Sequence, residues 1–221
     1  TFGAVLFGAM ILLPLYYQIV RGEDALTTGL LLVPMGVGAG LAMPFAGRLT
    51  DNRGAGPVVI FGIIILALST VPLIFIDPTT SYWLLSAALF VRGIGMGFSM
   101  MPAMSAAYRT LKPTEVPKAT TTINIIQRIG GALGTALLTV YLENQIPKGH
   151  LPGAANDIPL VAQRIVSDAF AATFVVVLAA TLLALIPAIW LYRTQKKLPP
   201  PEPKKEGEDN GPPITEFEIE T

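Results

Sequence analysis

Six stretches of about twenty apolar residues, separated by short polar connections, leave this chain little choice of fold. A helix that crosses roughly 30 Å of hydrocarbon needs about 20 predominantly apolar residues. Stretches of that kind fall at residues 1–20, 28–47, 58–76, 83–104, 119–142 and 169–192. Four of them hold no charged residue, one holds only Arg92 and one only Arg128. In lipid, every backbone polar group must be satisfied within the protein, and a helix does this inside one segment. The expected fold is therefore an all-α polytopic membrane protein with six transmembrane helices over residues 1–192. Residues 193–221, RTQKK followed by a Pro-rich charged run, read as a disordered cytoplasmic tail.

Composition narrows the chemistry. Charged residues make up 14% of the chain and hydrophobic ones 52%, with a mean hydropathy of +0.59. A soluble domain carries about 25% charged residues. The formal net charge is zero, so no basic surface calls for nucleic acid. There is no cysteine and a single histidine, His150, which argues against metal sites and nucleophilic triads. GIGMG at residues 93–97 lies inside a span, not after a strand, and is no dinucleotide loop. We expect no enzyme, no metal and no cofactor. The chain opens TFGAVLFG with neither an initiator methionine nor a basic leader, so we expect it to begin inside a longer protein.

Lysine and arginine set the orientation. Arg48, Arg53, Arg109, Lys112, Lys118, Arg193, Lys196 and Lys197 follow even-numbered spans, while Arg21, Lys148 and Arg164 lie on the other side. That asymmetry places both ends in the cytoplasm. The connection over residues 143–168 then faces outward, and IPLVAQRIVSDAF within it can form a short helix entering the last span. Lys196 and Lys197 suit anionic headgroups or topology setting equally well.

Arg92 stands out. It lies ten residues into its span, roughly 15 Å at 1.5 Å per residue. A charge at that depth faces the bundle interior or a watery cavity and needs an acid, carbonyls or substrate as partner. No span contains Asp or Glu. A carboxylate partner must come from outside these residues, or carbonyls and water hold the guanidinium. In the fifth span Thr121, Asn124 and Arg128 recur at helical spacing beside Gln127, and Gly131 and Thr135 continue the row. Such a row lines a cavity or makes interhelical hydrogen bonds. Gln18 is a further substrate-contact candidate, and Tyr16 and Tyr17 read as an interfacial aromatic belt. Glycines four apart, Gly93 with Gly97 and Gly130 with Gly134, let helices approach closely. Prolines at 14, 34, 44, 72, 102 and 187 bend helices.

The second connection, GRLTDNRGAG at residues 47–56, carries Gly47, Leu49, Asp51 and Gly54. The expectation is that Gly47 ends one helix and Asp51 sits in a tight turn, capping a helix or pairing with an arginine. This Gly-x-Leu-x-Asp-x-x-Gly spacing resembles the signature loop of the major facilitator superfamily. Ala55 and Gly56 stand where that loop has a basic pair, and Arg53 precedes the glycine. Residues 13–51, VRGIGMGFSMMP and NIIQRIGGALGTAL resemble the C-terminal half of fourteen-helix drug:proton antiporters of the EmrB/QacA type.

The resemblance implies a six-helix C-terminal bundle of a secondary transporter that exports drugs or other amphipathic molecules in exchange for protons, from a bacterial inner membrane. It implies Arg92, Asn124, Gln127, Arg128 and Gln18 in a substrate cavity. Gly47, Asp51, Arg53 and Gly54 would form a conformational latch. Expected partners are a small-molecule substrate, protons, the bilayer and the preceding half of the same chain. A periplasmic adaptor protein is left open. A facilitator for one metabolite or lipid, or a six-helix scaffold, are the competing readings.

Overall fold

The computed structural model describes residues 2–108, 114–146 and 160–195. Among them the regular elements are all helices: α1 (Phe2–Ile19), α2 (Ala25–Arg53), α3 (Ala55–Ile74), α4 (Tyr82–Tyr108), α5 (Val116–Gln145), α6 (Leu160–Leu183) and α7 (Leu185–Gln195). Helices 25–53, 55–74, 82–105 and 116–145 and the joined segment 163–190 are each long and apolar enough to cross a bilayer. At 18 residues, α1 is about 27 Å long at 1.5 Å per residue. The fold is all-α, of the membrane-embedded kind.

Several helices outrun their apolar stretches. The hydrogen-bond ladder of α2 continues through Asp51 to Arg53, so Gly47 lies within the helix and Asp51 in its last turn. This corrects the expected tight turn at 47–53. Nothing in LTDNR breaks a helix once it has left the lipid, and Thr50 bonds back to the Ala46 carbonyl at 2.6 Å. The connection to α3 is Gly54 alone, whose φ of 83° is open to glycine at little cost. Asp24 caps the other end of α2, accepting from the Thr27 N–H at 2.8 Å.

The last span is bent. Ala184 separates α6 from α7. Pro187 has no N–H to offer the Leu183 carbonyl four residues back, which is where the ladder breaks. From Leu160 on, α6 absorbs the short helix expected over 158–170, and α7 runs past Arg193 to Gln195, where a tail was expected to begin. Lys196, Lys197, His150 and the remainder of the tail lie outside the described residues, as do Arg109 and Lys112.

The packing is that of paired three-helix units. The broadest contact joins α2 to α4, and α5 packs on α1 in the corresponding way, while α3 lies against α4 and α6. Exchanging α1, α2, α3 for α4, α5, α6 maps the first of these contacts onto the second, which is the relation expected of a repeat. The main core gathers at one end of the bundle, the end of the α1–α2 corner. There Leu12, Tyr16, Tyr17, Leu73, Leu85, Leu89, Leu142, Phe170 and Phe174 bury their side chains together. At the opposite, Gly54 end a smaller cluster among the described residues gathers Val59, Ile63 and Ala188 with a few half-buried neighbours, and Ala42, Ala46, Ala55 and Val58 are buried near it. Tyr16 and Tyr17 are fully buried at the corner end and are not a surface belt, which corrects that expectation. Phe75, Tyr82 and Trp83 are exposed aromatic side chains at the corner end.

Candidate functional site

Helix α5 carries the polar row. Its face bearing Gly131, Gly134, Leu138 and Leu142 is buried. Asn124 precedes Leu142 by eighteen residues, five turns at 3.6 residues each, and so shares that face. Yet Asn124 is exposed, with Thr121 and Arg128 beside it and Gln127 half-buried. The face is thus covered toward the corner end and bare toward the Gly54 end. Met10 and Ile11 on α1, the helix α5 packs against, are likewise exposed. An exposed surface with amide and guanidinium donors results, flanked by apolar Ile125 and Ile129.

Arg92 is placed differently. Only 3% of it is exposed. Its Nη1 donates to the Thr70 hydroxyl of α3 at 3.1 Å, and Thr70 donates in turn to the Leu66 carbonyl at 2.8 Å. The reach is physical: a helical side chain leans toward its own N-terminus, which for Arg92 is the corner end, where Thr70 lies. The side chain is wedged between α4 and α3, not on the α5 row. Gln18 is exposed at the corner end of α1, the opposite end from Asn124. The five cavity candidates therefore form one grouping, Asn124 with Gln127 and Arg128, and two separate positions.

Glycines of α4 make the close helix contacts. Gly93 and Gly97 face α2, where a Cβ on Gly93 would lie 2.9 Å from the Ala39 nitrogen and one on Gly97 2.7 Å from the Ala42 Cβ. Gly95 faces α3 instead, against Leu66. Gly134 is buried and Gly130 half-buried on α5. At the α2–α3 junction, Asp51 and Arg53 are exposed. Asp51 caps neither helix: the position before α3 is Gly54, and no side chain bonds there. An anion in the last turn of α2 faces the negative end of the helix dipole. Its carboxylate is available to a partner elsewhere.

Sequence reasoning missed a polar cluster at the corner end. Arg21 donates from both terminal nitrogens, to the carbonyls of Pro78 and Thr80, and lies 4.3 Å from the centre of the Tyr82 ring. Tyr82 donates its hydroxyl to Glu23 and stacks on Tyr17. The Tyr16 hydroxyl donates to the Asp77 carbonyl at 2.7 Å, and Ser167 to the Ile76 carbonyl at 2.9 Å. Hydrogen bonds from Thr79 hold the Asp77 carboxyl below the usual carboxylate range. The stabilisation this brings is present above the ordinary carboxylate pKa and lost as pH falls through the depressed one. In the sequence, Arg21 was one of three cations on the sparsely charged side. Only its place in a four-residue corner, RGED, hinted at more.

With this geometry in view, the major facilitator superfamily model matches residues 1–135. The chain belongs to the major facilitator superfamily. It is an integral membrane protein of that transporter family. A multidrug resistance protein B homolog of Mycobacterium tuberculosis is 33% identical over 217 aligned positions, covering 86% of this chain and 40% of the relative. The lincomycin resistance protein LmrB of Listeria innocua is 38% identical over 133 positions, covering 60% of this chain and 28% of the relative. The puromycin resistance protein pur8 of Streptomyces alboniger is 31% identical, covering 60% and 27%. The chain thus spans about two fifths of the Mycobacterium relative's length and less of the others.

Proposed function

We propose that this chain is the C-terminal six-helix half of a secondary transporter that expels drugs or other amphipathic small molecules in exchange for protons, by alternating access. Similarity along most of the chain to a protein named for multidrug resistance is the observation that carries the reading. The bare polar row on α5 supports it, since Asn124, Gln127 and Arg128 offer a few polar anchors on an otherwise apolar surface, the composition of a pocket for lipophilic ligands. In this reading the lysine and arginine bias sets the Gly54 end on the cytoplasmic side of a bacterial inner membrane. Among the described residues the main core lies at the corner end and the exposed polar row of α5 lies toward the Gly54 end, which suits a state open to the cytoplasm. The six apolar stretches hold no carboxylate, Asp51, Glu143 and Asp168 lying only near helix ends, so the proton-carrying acid belongs to the preceding half, which also covers the α5 row. Any periplasmic adaptor would meet the corner end.

The test is accumulation of a fluorescent lipophilic cation in cells that make the full-length protein. Accumulation should fall, and a protonophore should restore it. Unchanged accumulation would sink the drug reading, and export indifferent to the protonophore would sink proton coupling.

Asp51, Arg53, Gly54 and Gly47 form the latch in this scheme, with the Asp51 carboxylate, which has no ion-pair partner among the described residues, meeting the other half in one conformation only. Asp51→Asn should then lower turnover about tenfold while KM stays within about twofold, since a state-holding contact acts on a conformational step. Transport kinetics identical to the parent protein would remove Asp51 from the mechanism.

A further inference from the structure

We propose that Thr121 is a specificity-determining residue of the α5 row. Its hydroxyl accepts a hydrogen bond from an N–H or O–H group of the substrate, while Arg128 donates to an acceptor group further along the same molecule. The inference rests on the transport reading above and names what that row selects.

Three consecutive threonines open the apolar part of α5. The Thr120 hydroxyl lies 2.8 Å from the Val116 carbonyl oxygen, the Thr121 hydroxyl 3.0 Å from that of Pro117, and the Thr122 hydroxyl 3.0 Å from that of Lys118. A carbonyl can only accept, so in each bond the hydroxyl is the donor. A threonine hydroxyl has one hydrogen and two acceptor lone pairs. With the hydrogen turned back onto the helix, the group offers its surroundings acceptor sites alone.

The three threonines are not equivalent. Thr121 and Thr122 are exposed, and Thr120 is half-buried. Thr121 and Arg128 stand about two turns apart on one face with Asn124 between them, whereas Thr122 is about 100° round the helix from Thr121. Thr121 is therefore the exposed hydroxyl in line with the polar row.

Arg128, exposed at the other end of that line, has the opposite character, because a guanidinium donates and cannot accept. The Asn124 amide does both. The row thus has a direction. It accepts at Thr121, toward the Gly54 end, and donates at Arg128, about 10 Å further along the helix at 1.5 Å per residue. Exposed Ile125 and Ile129 flank it. A matching ligand is an amphipathic molecule of drug size with an apolar body, a donor group at one end and an acceptor group within about 10 Å of it. A ligand without the donor displaces water from the Thr121 oxygen and returns no hydrogen bond, which costs affinity.

Two fluorescent cations that differ in the donor test this: a rhodamine ester with secondary amino N–H groups, and its N,N-diethyl analogue, which has none. Binding to the full-length protein in lipid nanodiscs is read by fluorescence anisotropy, and export by efflux from cells that make it. Thr121→Val keeps the shape and removes the hydroxyl. It should weaken binding of the N–H dye about fivefold and change binding of the analogue by less than about twofold, the scale of one hydrogen bond. Thr121→Ser should behave as the parent protein, and so should Thr122→Val. If Thr121→Val does not reach the membrane folded, Thr121→Ala carries the same expectation. An equal effect on both dyes, no effect on either, or the same selective loss in Thr122→Val overturns the proposal, as does failure of both dyes to bind. Export of both dyes with an equal effect of Thr121→Val leaves the transport reading standing without it. If the N–H dye binds with the selective Thr121 dependence and neither dye is exported, the contact stands and the transport reading falls.

Discussion

Gly93→Ala is expected to lower the amount of folded protein in the membrane several-fold, the largest stability loss of any single methyl group in this bundle. An added Cβ at Gly93 would press on the Met35 carbonyl oxygen and lie 2.9 Å from the Ala39 nitrogen, both of them α2 backbone atoms that cannot rotate away. The helices must separate. Overpacking a tight site costs roughly 1–3 kcal/mol, and here it acts on the broadest helix contact in the bundle. In lipid no hydrophobic gain rewards α2 and α4 for associating, so close packing of small residues carries the contact. Gly36→Ala is the matched control. Its Cβ would meet nothing within 4 Å, and replacing a helical glycine by alanine gains about 0.5–1 kcal/mol of propensity. Detergent melting of both variants, with membrane levels by immunoblot, decides the matter. Equal stability of the two would mean that the α2–α4 contact is looser than this geometry.

The contrast between these glycines shows what could be read in advance. Apolar length alone located the helices, because hydrocarbon permits nothing else for a chain with 14% charge. Which glycine of a cluster packs could not be read. Gly36, Gly38 and Gly40 look alike in sequence, yet only Gly38 meets a neighbour, at the Phe90 carbonyl. That depends on the azimuth at which α2 meets α4, a property of the pair. The same reason hid Arg21: its partners are main-chain carbonyls at residues 78 and 80, which leave no side-chain signal. Tyr16 and Tyr17 misled because a tyrosine at a helix end suits a lipid headgroup and a buried Asp77 carbonyl equally well. The helical run through Asp51 misled because the loop motif suggested a turn, while no glycine or proline between Gly47 and Gly54 stops the helix. The polar row on α5 was visible as spacing; that it is bare over only half its length was not.

Arg92→Met is expected to melt at or above the temperature of the parent protein and to lose transport at least about tenfold, a change of roughly 1.4 kcal/mol in the barrier. The two halves of this expectation have separate causes. Arg92 is almost wholly buried, and the side chain it donates to is the neutral Thr70 hydroxyl. Replacing a poorly compensated buried charge by an apolar side chain of similar volume is often neutral or stabilising, by about 1–4 kcal/mol. Methionine fills the same space flexibly. The loss leaves no orphan, because Thr70 still donates to the Leu66 carbonyl at 2.8 Å. A residue that costs stability and has no structural replacement value must be explained by what its charge does. On the transport reading proposed above, a cation at mid-depth between α3 and α4 would serve to meet an anion or carboxylate during the cycle. Arg92→Lys, which keeps the charge but loses the planar fork, should retain part of the transport. If Arg92→Met transports normally, the charge has no part in the cycle and Arg92 is packing alone. If it melts well below the parent, the guanidinium is compensated by a partner across the bundle, and the search for that acid becomes the next experiment.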